Sequence, residues 1–262
     1  MDPGTLFYAR TDKSTKLKKA IECLSGFHEI EMFVSAKGMR LLALNTRMQL
    51  IGYFNMPVEN FLKFECQENQ TYSLVVDAKD FCKRLKSLQQ KWVITFMQTT
   101  QVPNTLILQH TIDEERHIGR ILIPHKSANA QFLQDNREFD QAPIIIESKF
   151  WVGIIKQIYK AEETFLDITF DTTHIVFESA TVSQTVKIPN DNPDEPDKPR
   201  PNHIVHGRFL VKPLYSVCKA TTMSQSVSIQ LTPEHLFLEY TITDLGKLTF
   251  VLAHYVEAEP TH

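Results

Sequence analysis

The chain has 262 residues and a mass of 30.2 kDa, which is enough for one large domain or two modest ones. Hydrophobic residues make up 42% and charged residues 23%, as in an ordinary globular protein, and the net charge of −3 does not by itself indicate a nucleic-acid partner. No apolar run approaches the roughly 18 residues of a membrane span, the N-terminus does not resemble a signal peptide, and the four cysteines form no CxxC pair. We therefore expect a soluble intracellular protein with reduced cysteines in its core.

In chain order, short strand-like segments are interrupted by four helical stretches. A helical period is convincing only at about 14–25, 77–90, 147–160 and 211–220, and the first of these places Leu17, Ile21 and Leu24 on one stripe. Several other segments alternate apolar and polar residues, which suits sheets with one buried face. The predicted strands are Glu31–Val34, Arg40–Leu44, Gln49–Phe54, Tyr72–Val76, Trp92–Phe96, Thr105–Thr111, Gly119–Ile123, Ile144–Ile146, Leu166–Phe170, His174–Phe177, Thr185–Ile188, Ser226–Leu231, Leu236–Thr243 and Lys247–Ala253.

Three local signals support the helix boundaries. Asp77 and the pair Glu147-Ser148 are suitable N-terminal residues for the second and third helices, through capping or the helix dipole. Pro213 is compatible only with the first turn of the fourth helix, where its missing N–H does no harm.

The order of elements repeats once along the chain. The first two helices are about 63 residues apart and the last two about 64, which predicts two halves of similar architecture. The predicted divisions are an N-terminal domain at 1–123, a largely polar connector at 124–140 and a C-terminal domain at 141–262. A proline-rich loop at 189–202 is expected to be exposed. The fold class is therefore α+β, with two similar domains.

Positive charge is concentrated on the predicted helices. Each helix carries a net charge of +2, so the four together carry +8 and the rest of the chain carries −11. The cations recur at i, i+3, i+4 or i+7, which puts each set on one helix face. A solvated polar face would explain one such helix, but four of the same sign predict a surface that attracts phosphate without reading sequence. The predicted nucleic-acid contacts are Lys16, Lys18, Lys19, Lys79, Lys83, Arg84, Lys86, Lys149, Lys156, Lys160, Lys212 and Lys219.

Segments at both ends of the chain resemble a known family. They are Leu6–Arg10, Leu17–Ala20 and Gly38–Asn45 near the start, and Lys219–Ile229, Leu238–Leu248 and Leu252–Ala253 near the end. These segments are similar to the proliferating cell nuclear antigen family of sliding DNA clamps, and the resemblance extends from Leu6 to about Glu259.

The resemblance implies a ring with its helices inside and its antiparallel sheets outside. Three identical subunits would encircle duplex DNA without sequence specificity and serve as a polymerase processivity factor, opened by a clamp loader. A location in the nucleus is implied, or in the host nucleus or a cytoplasmic replication site if the protein is viral. By resemblance, the strands that join subunits are Gly119, Arg120, Ile121, Leu122 and Ile123 of one copy and Ser183, Gln184, Thr185, Val186, Lys187 and Ile188 of the next.

The resemblance also implies a hydrophobic front-face pocket that binds short peptides of DNA polymerase and other replication or repair proteins. Two positions depart from the family, which often has proline at His235 and a large aromatic residue at Val251, so a different peptide preference is expected. Carried over by position, the pocket residues are Leu44, Met48, Phe132, Leu133, His235, Val251, Leu252 and Ala253.

The residues suggest no catalytic or cofactor site. GxGxxG, GxxxxGK[ST] and HExxH are all missing from the sequence. His110 and His117, with acidic residues at 113–115 between them, match no metal-binding spacing, so we predict a solvated loop and no metal. Two alternatives to a homotrimer stay open: a subunit of a heterotrimeric checkpoint-type clamp, and a monomeric viral processivity factor. A nuclease or other DNA-modifying enzyme would need clustered carboxylates near the basic helices, which offer almost none.

Overall fold

The structure is a computed structural model that describes residues 4–45, 49–67, 70–88, 92–112, 117–127, 142–171, 173–188 and 204–256. These residues form two compact units. Within the described ranges, unit 1 comprises 4–45, 51–127 and 241–248, and unit 2 comprises 49–50, 142–240 and 249–256. The predicted domain limits at 123/124 and 140/141 stay a prediction, since most of the connector and the 189–202 loop lie outside the described residues.

Unit 1 is built from antiparallel strands and two helices. One sheet has the strand order β5-β1-β7-β8-β9, and the strands of the other run in the order β10-β6-β2-β3-β4. The elements up to residue 127 are β1 Thr5–Thr11, α1 Ser14–Cys23, β2 Glu29–Ser35, β3 Gly38–Leu44, β4 Leu50–Pro57, a short 3-10 turn Val58–Asn60, β5 Lys63–Cys66, β6 Tyr72–Asp77, α2 Ala78–Lys86, β7 Val93–Thr99, β8 Thr105–Thr111, β9 His117–Pro124 and β10 Lys126–Ser127.

Unit 2 is also built from antiparallel strands and two helices. A four-stranded sheet has the order β14-β13-β12-β15, and the other strands run in the order β18-β17-β16-β11. The elements that lie wholly or mostly in unit 2 are β11 Ile144–Glu147, α3 Ser148–Lys160, β12 Phe165–Phe170, β13 His174–Glu178, β14 Ser183–Lys187, β15 Val205–Leu210, α4 Val211–Val217, a 3-10 segment Cys218–Thr222, β16 Ser226–Leu231, β17 His235–Ile242 and β18 Gly246–Ala253. The mixed α+β class with antiparallel sheets is confirmed.

The helices bury the apolar stripes that their sequences predict. In unit 1, Leu17 and Ile21 of α1 are fully buried, and the Cys82 thiol of α2 donates to the Ile21 carbonyl at 3.3 Å. In unit 2, Trp151 of α3 is fully buried and meets the ring of Phe177 edge-on at 5.8 Å. Burial of such side chains stabilises the fold by about 1.5–3 kcal/mol each, so the inward faces hold the helices and leave the outward faces available.

The helix boundaries partly follow the predictions. Asp77 caps α2, since its carboxylate accepts from the Asp80 N–H at 2.7 Å, and Pro213 lies in the first turn of α4. Glu147 occupies the N-cap position of α3, where the helix start was predicted, but its side chain makes no capping hydrogen bond. The Ser148 N–H donates to the Gln225 carbonyl at 2.9 Å, which satisfies one amide of the first turn.

Some elements depart from the prediction. The fourth helix is α-helical only to Val217 and continues as a 3-10 segment to Thr222. Strand β15 was not predicted, because its glycine and charged residues hide the alternation. In the structure Gly207 makes room for the His254 imidazole: a Cβ at Gly207 would lie 2.4 Å from that ring's Nε2. The packing of His254 therefore selects glycine in the middle of a strand.

Two observations concern the cysteines and the length and polarity of the helices. All four cysteines lie among the described residues and form no disulfide there; Cys23, Cys82 and Cys218 are buried and Cys66 is half-buried. In the part of the chain that the structure describes, every helix is too short or too polar to cross a membrane.

Candidate nucleic-acid interface

The predicted basic residues lie on the solvent side of their helices in both units. Lys16, Lys18 and Arg84 are half-buried and the other nine are exposed. Helix α1 packs against α2 in unit 1, and α3 packs against α4 in unit 2. Each unit therefore brings two sets of cations onto neighbouring helices.

Four cations of unit 1 already have partners within the unit. Lys86 pairs with Glu22 at 2.8 Å, which raises the pKa of Lys86 through the hydrogen bond, and Arg84 pairs with Asp80 at 2.6 Å. Lys16 donates to the Thr243 carbonyl at 2.8 Å, and Lys18 donates to a backbone carbonyl at Leu88. Burial lowers the pKa of Lys18. These four groups are therefore less available to phosphate than Lys19, Lys79 and Lys83.

The cations of unit 2 are freer. Lys149, Lys156, Lys160, Lys212 and Lys219 are exposed, and no carboxylate of the described residues pairs with any of them. The Lys156 charge tends to lower the pKa of the Cys218 thiol, but burial is the larger influence and raises it to about 12. Unit 2 thus offers a basic helix face without internal neutralisation, over a core thiol that stays protonated.

The two predicted joining segments are outermost strands of their sheets. Strand β9 has only β8 as a neighbour among the described strands, and β14 has only β13. On β14, the Ile188 N–H donates to the Thr173 carbonyl at 2.7 Å. Because antiparallel ladders alternate, Gln184 and Val186 also bond inward, while Ser183, Thr185 and Lys187 direct their backbone groups outward.

Strand β9 has the complementary arrangement. The His125 N–H donates to the Asn104 carbonyl at 3.1 Å, so by the same alternation Arg120 and Leu122 have outward-facing backbone groups. Leu122 is also 51% exposed. Strands β9 and β14, which are among the outermost strands of the described sheets, therefore each have an edge able to receive another strand.

Leu44 of the predicted peptide pocket lines a surface cavity in unit 1. The cavity has a volume of about 230 Å³, and its other lining residues are His28, Glu29, Glu31, Leu42 and Val75. Burial raises the pKa of Glu31, whose carboxylate accepts from the Ser73 hydroxyl at 3.0 Å. Sequence analysis missed both acids, although alternation along β2 could have placed Glu29 and Glu31 on one face.

The remaining pocket residues divide into two groups. Met48, Phe132 and Leu133 lie outside the described residues. In unit 2, His235 and Ala253 are half-buried, whereas Val251 and Leu252 are each 2% exposed. Leu252 and Ala253 line a small cavity of that unit. The His254 N–H donates to the Glu234 carbonyl at 3.1 Å, which brings the ends of β17 and β18 together.

His110, the first member of the rejected metal pattern, has a structural role. Its ring is buried and stacks on Trp92 with 4.6 Å between centroids, and burial lowers its pKa. Residues 113–116 lie outside the described residues. Within the described ranges, no group of three His, Cys, Asp or Glu side chains could hold a metal ion.

Comparison with known proteins agrees with the fold class. No protein-family model matches the chain. The chain is 23% identical over 263 residues to a probable DNA polymerase sliding clamp 1 of Paramecium bursaria Chlorella virus 1, and the alignment covers 96% of this chain and 98% of the relative. The similarity to this sliding clamp extends over nearly the full length of both chains, and the α+β fold with antiparallel sheets is consistent with it. It supports the resemblance of this chain to the proliferating cell nuclear antigen family of sliding DNA clamps.

Proposed function

We propose that the protein is a sliding DNA clamp that acts as a polymerase processivity factor. The observation that carries this proposal is the placement of a basic face on the solvent side of the helices of both units, in a chain whose remainder is acidic. The viral relative carries the name of a DNA polymerase sliding clamp. Sliding clamps are non-enzymatic: they retain a polymerase on DNA by tethering it, which raises its effective concentration.

A homotrimer is the assembly that best fits the two strand edges. Edge β9 of one copy would pair with edge β14 of the next, a head-to-tail contact that forms a closed ring when the rotation suits threefold symmetry. Closure would remove edges that otherwise invite aggregation. The expected partners are duplex DNA, a DNA polymerase, other proteins with clamp-binding peptides, and a clamp loader, at a nuclear or viral replication site.

Encirclement can be tested without knowing the loader. The protein is first incubated at low salt with linear duplex DNA, and both DNA ends are then blocked with biotin and streptavidin before a high-salt wash. A ring that has threaded onto the DNA is retained on the blocked duplex and lost from the unblocked one, because salt removes phosphate contacts but not a topological link. Equal loss from both duplexes would rule out encirclement.

Charge reversal tests the helix face. Lys83→Glu and Lys156→Glu, one in each unit, are expected to weaken duplex binding at low salt by about tenfold or more and to reduce its salt dependence. Fluorescence anisotropy over a salt series measures both effects. Lys37→Glu is the matched control, because this exposed lysine lies in the β2–β3 turn away from the helices. Equal weakening by the control would mean that only net charge matters.

Leu44→Ala tests the peptide site. Leu44 lines the cavity of unit 1, so truncation is expected to weaken binding of a clamp-binding peptide by about 1–3 kcal/mol, measured by calorimetry. The oligomer mass should not change. Retained affinity would move the peptide site away from Leu44.

The alternative assemblies have a distinct signature. The viral origin of the relative keeps a monomeric processivity factor in consideration. Light scattering over a concentration series is expected to give three times the 30.2 kDa chain mass for a homotrimer. A persistent monomer would favour a viral factor of that kind or a subunit of a heterotrimeric clamp.

A further inference from the structure

Helices α3 and α4 carry a pair of stacked tyrosines on their exposed side. The rings of Tyr159 and Tyr215 are parallel within 1°, with 3.9 Å between centroids. Tyr159 is 40% exposed and Tyr215 is 37% exposed. The pair is thus only partly covered by the protein, and a part of each ring remains accessible.

One lysine lies about a helical turn before each tyrosine of this pair. Lys156 precedes Tyr159 by three residues on α3, and Lys212 precedes Tyr215 by three residues on α4, so each lysine lies about one turn from a tyrosine on the same face. Both lysines are exposed, and neither helix contains an acidic residue within its bounds. An accessible aromatic pair within a basic surface is complementary to a ligand that has both flat rings and negative charge.

We propose that the Tyr159–Tyr215 pair is a stacking platform for unpaired nucleotides of a single DNA strand. This inference rests on the proposed function, because it takes the basic helix faces to contact nucleic acid. Bases within a duplex are already stacked on their neighbours, so only an unpaired base can place its face against a tyrosine ring. The lysines bind the phosphates of that strand, while the rings bind its bases irrespective of sequence.

Such a platform gives unit 2 a preference that lysines alone cannot give. Phosphate contacts are made with single and double strands alike, whereas ring stacking favours the unpaired strand. The substrate of a polymerase contains both forms, with single-stranded template next to the primed duplex. The stacked pair therefore favours contact of unit 2 with the single-stranded side of that junction.

The test compares oligo(dT) with a duplex of the same charge on the intact protein. In the Tyr159→Leu/Tyr215→Leu double variant, affinity for oligo(dT) is expected to fall about fivefold or more, while duplex affinity stays within about twofold. Tyr159→Phe/Tyr215→Phe retains the rings and should bind as the unmodified protein does. Phe150→Leu is the matched control, because it removes another exposed aromatic ring of α3. Phe150 precedes Tyr159 by nine residues and lies on the opposite side of the helix.

A covalent readout identifies the contact directly. Oligo(dT) containing 5-iododeoxyuridine is expected to photocrosslink to Tyr159 or Tyr215, with the site located by mass spectrometry. Thermal unfolding of each variant checks that the helices remain folded. Unchanged oligo(dT) affinity in the leucine double variant would overturn the proposal, as would an equal loss with the phenylalanine variant or an equal loss of duplex binding.

The two levels of proposal fail separately. If Lys156→Glu leaves binding of both DNA forms unchanged, the basic face of unit 2 has no role and the proposed function loses its support there. If Lys156→Glu weakens both forms but the leucine double variant weakens neither, the basic face stands and the tyrosine pair only joins α3 to α4.

Discussion

Thr185→Pro is expected to prevent the proposed trimer from forming, so that the protein is a monomer, while its four-stranded sheet stays folded. Thr185 lies in the outermost strand β14, opposite Val176 of β13, at a position whose backbone groups face away from the sheet. Proline lacks the N–H that would donate a hydrogen bond to a carbonyl of the incoming strand. Its ring also occupies the space into which that strand would come. The hydrogen bonds between β14 and β13 are not affected, because Thr185 contributes none of them.

The expected loss of assembly is large because each contact of the proposed trimer would consist of one pair of edge strands. A missing hydrogen bond costs about 1 kcal/mol, and the clash with an incoming strand adds to it, so each interface weakens by about tenfold or more. A closed trimer contains three such interfaces. The mass from light scattering should therefore fall toward 30.2 kDa at concentrations where the unmodified protein is a trimer.

Thr185→Val is the matched control for this experiment. Valine keeps the backbone N–H and suits an edge strand, so the trimer should persist. Urea unfolding distinguishes loss of assembly from loss of fold, since both variants are expected to show a cooperative unfolding transition. A Thr185→Pro protein that remains trimeric would show that β14 is not the joining strand.

The helices could be predicted from the sequence because their buried apolar residues recur at the helical period. Leu17 and Ile21 on α1 recur at helical spacing and are fully buried, and the lysines between them are left on the solvent side. The helical period of the apolar residues therefore predicted the buried face, and with it the charged face opposite. The Asp77 cap was accessible for a similar reason, since its hydrogen bond to Asp80 is local in sequence.

Features that depend on distant segments were not accessible in this way. The stack of Tyr159 on Tyr215 joins two helices about 56 residues apart, and no local pattern pairs them. The acidic wall of the Leu44 cavity comes from β2, while Leu44 itself ends β3. Gly207 interrupts the alternating pattern of β15 because the His254 ring packs against it, and that contact arises only after folding. In each case the partner in space has no fixed spacing in sequence.

The Asp244–Gly246 run, which contributes to the family resemblance, has a physical reason in the turn between β17 and β18. Asp244 has a φ of 60° and Gly246 a φ of 149°, and the Leu245 N–H donates to the Ile242 carbonyl at 3.0 Å. Positive φ at two positions allows the chain to reverse within a few residues. The same turn contacts α1, where Lys16 pairs with Asp244 at 3.8 Å.

Gly246→Ala is therefore expected to destabilise the protein by about 2–4 kcal/mol, which corresponds to a melting temperature lower by roughly 5–15 °C. Its φ suits glycine alone, and an added Cβ would lie 2.0 Å from the Asn55 carbonyl oxygen. That oxygen belongs to the backbone of β4 and cannot rotate away as a side chain would. Gly153→Ala, in α3 with no atom within 4 Å of the new Cβ, should instead stabilise the protein by about 0.5–1 kcal/mol. Thermal and urea unfolding compare the two variants. Equal stability of the Gly246→Ala and Gly153→Ala variants would mean that the turn relaxes to accept the new Cβ. In that case neither the conformation of Asp244–Gly246 nor the position of Lys16 would depend on Gly246.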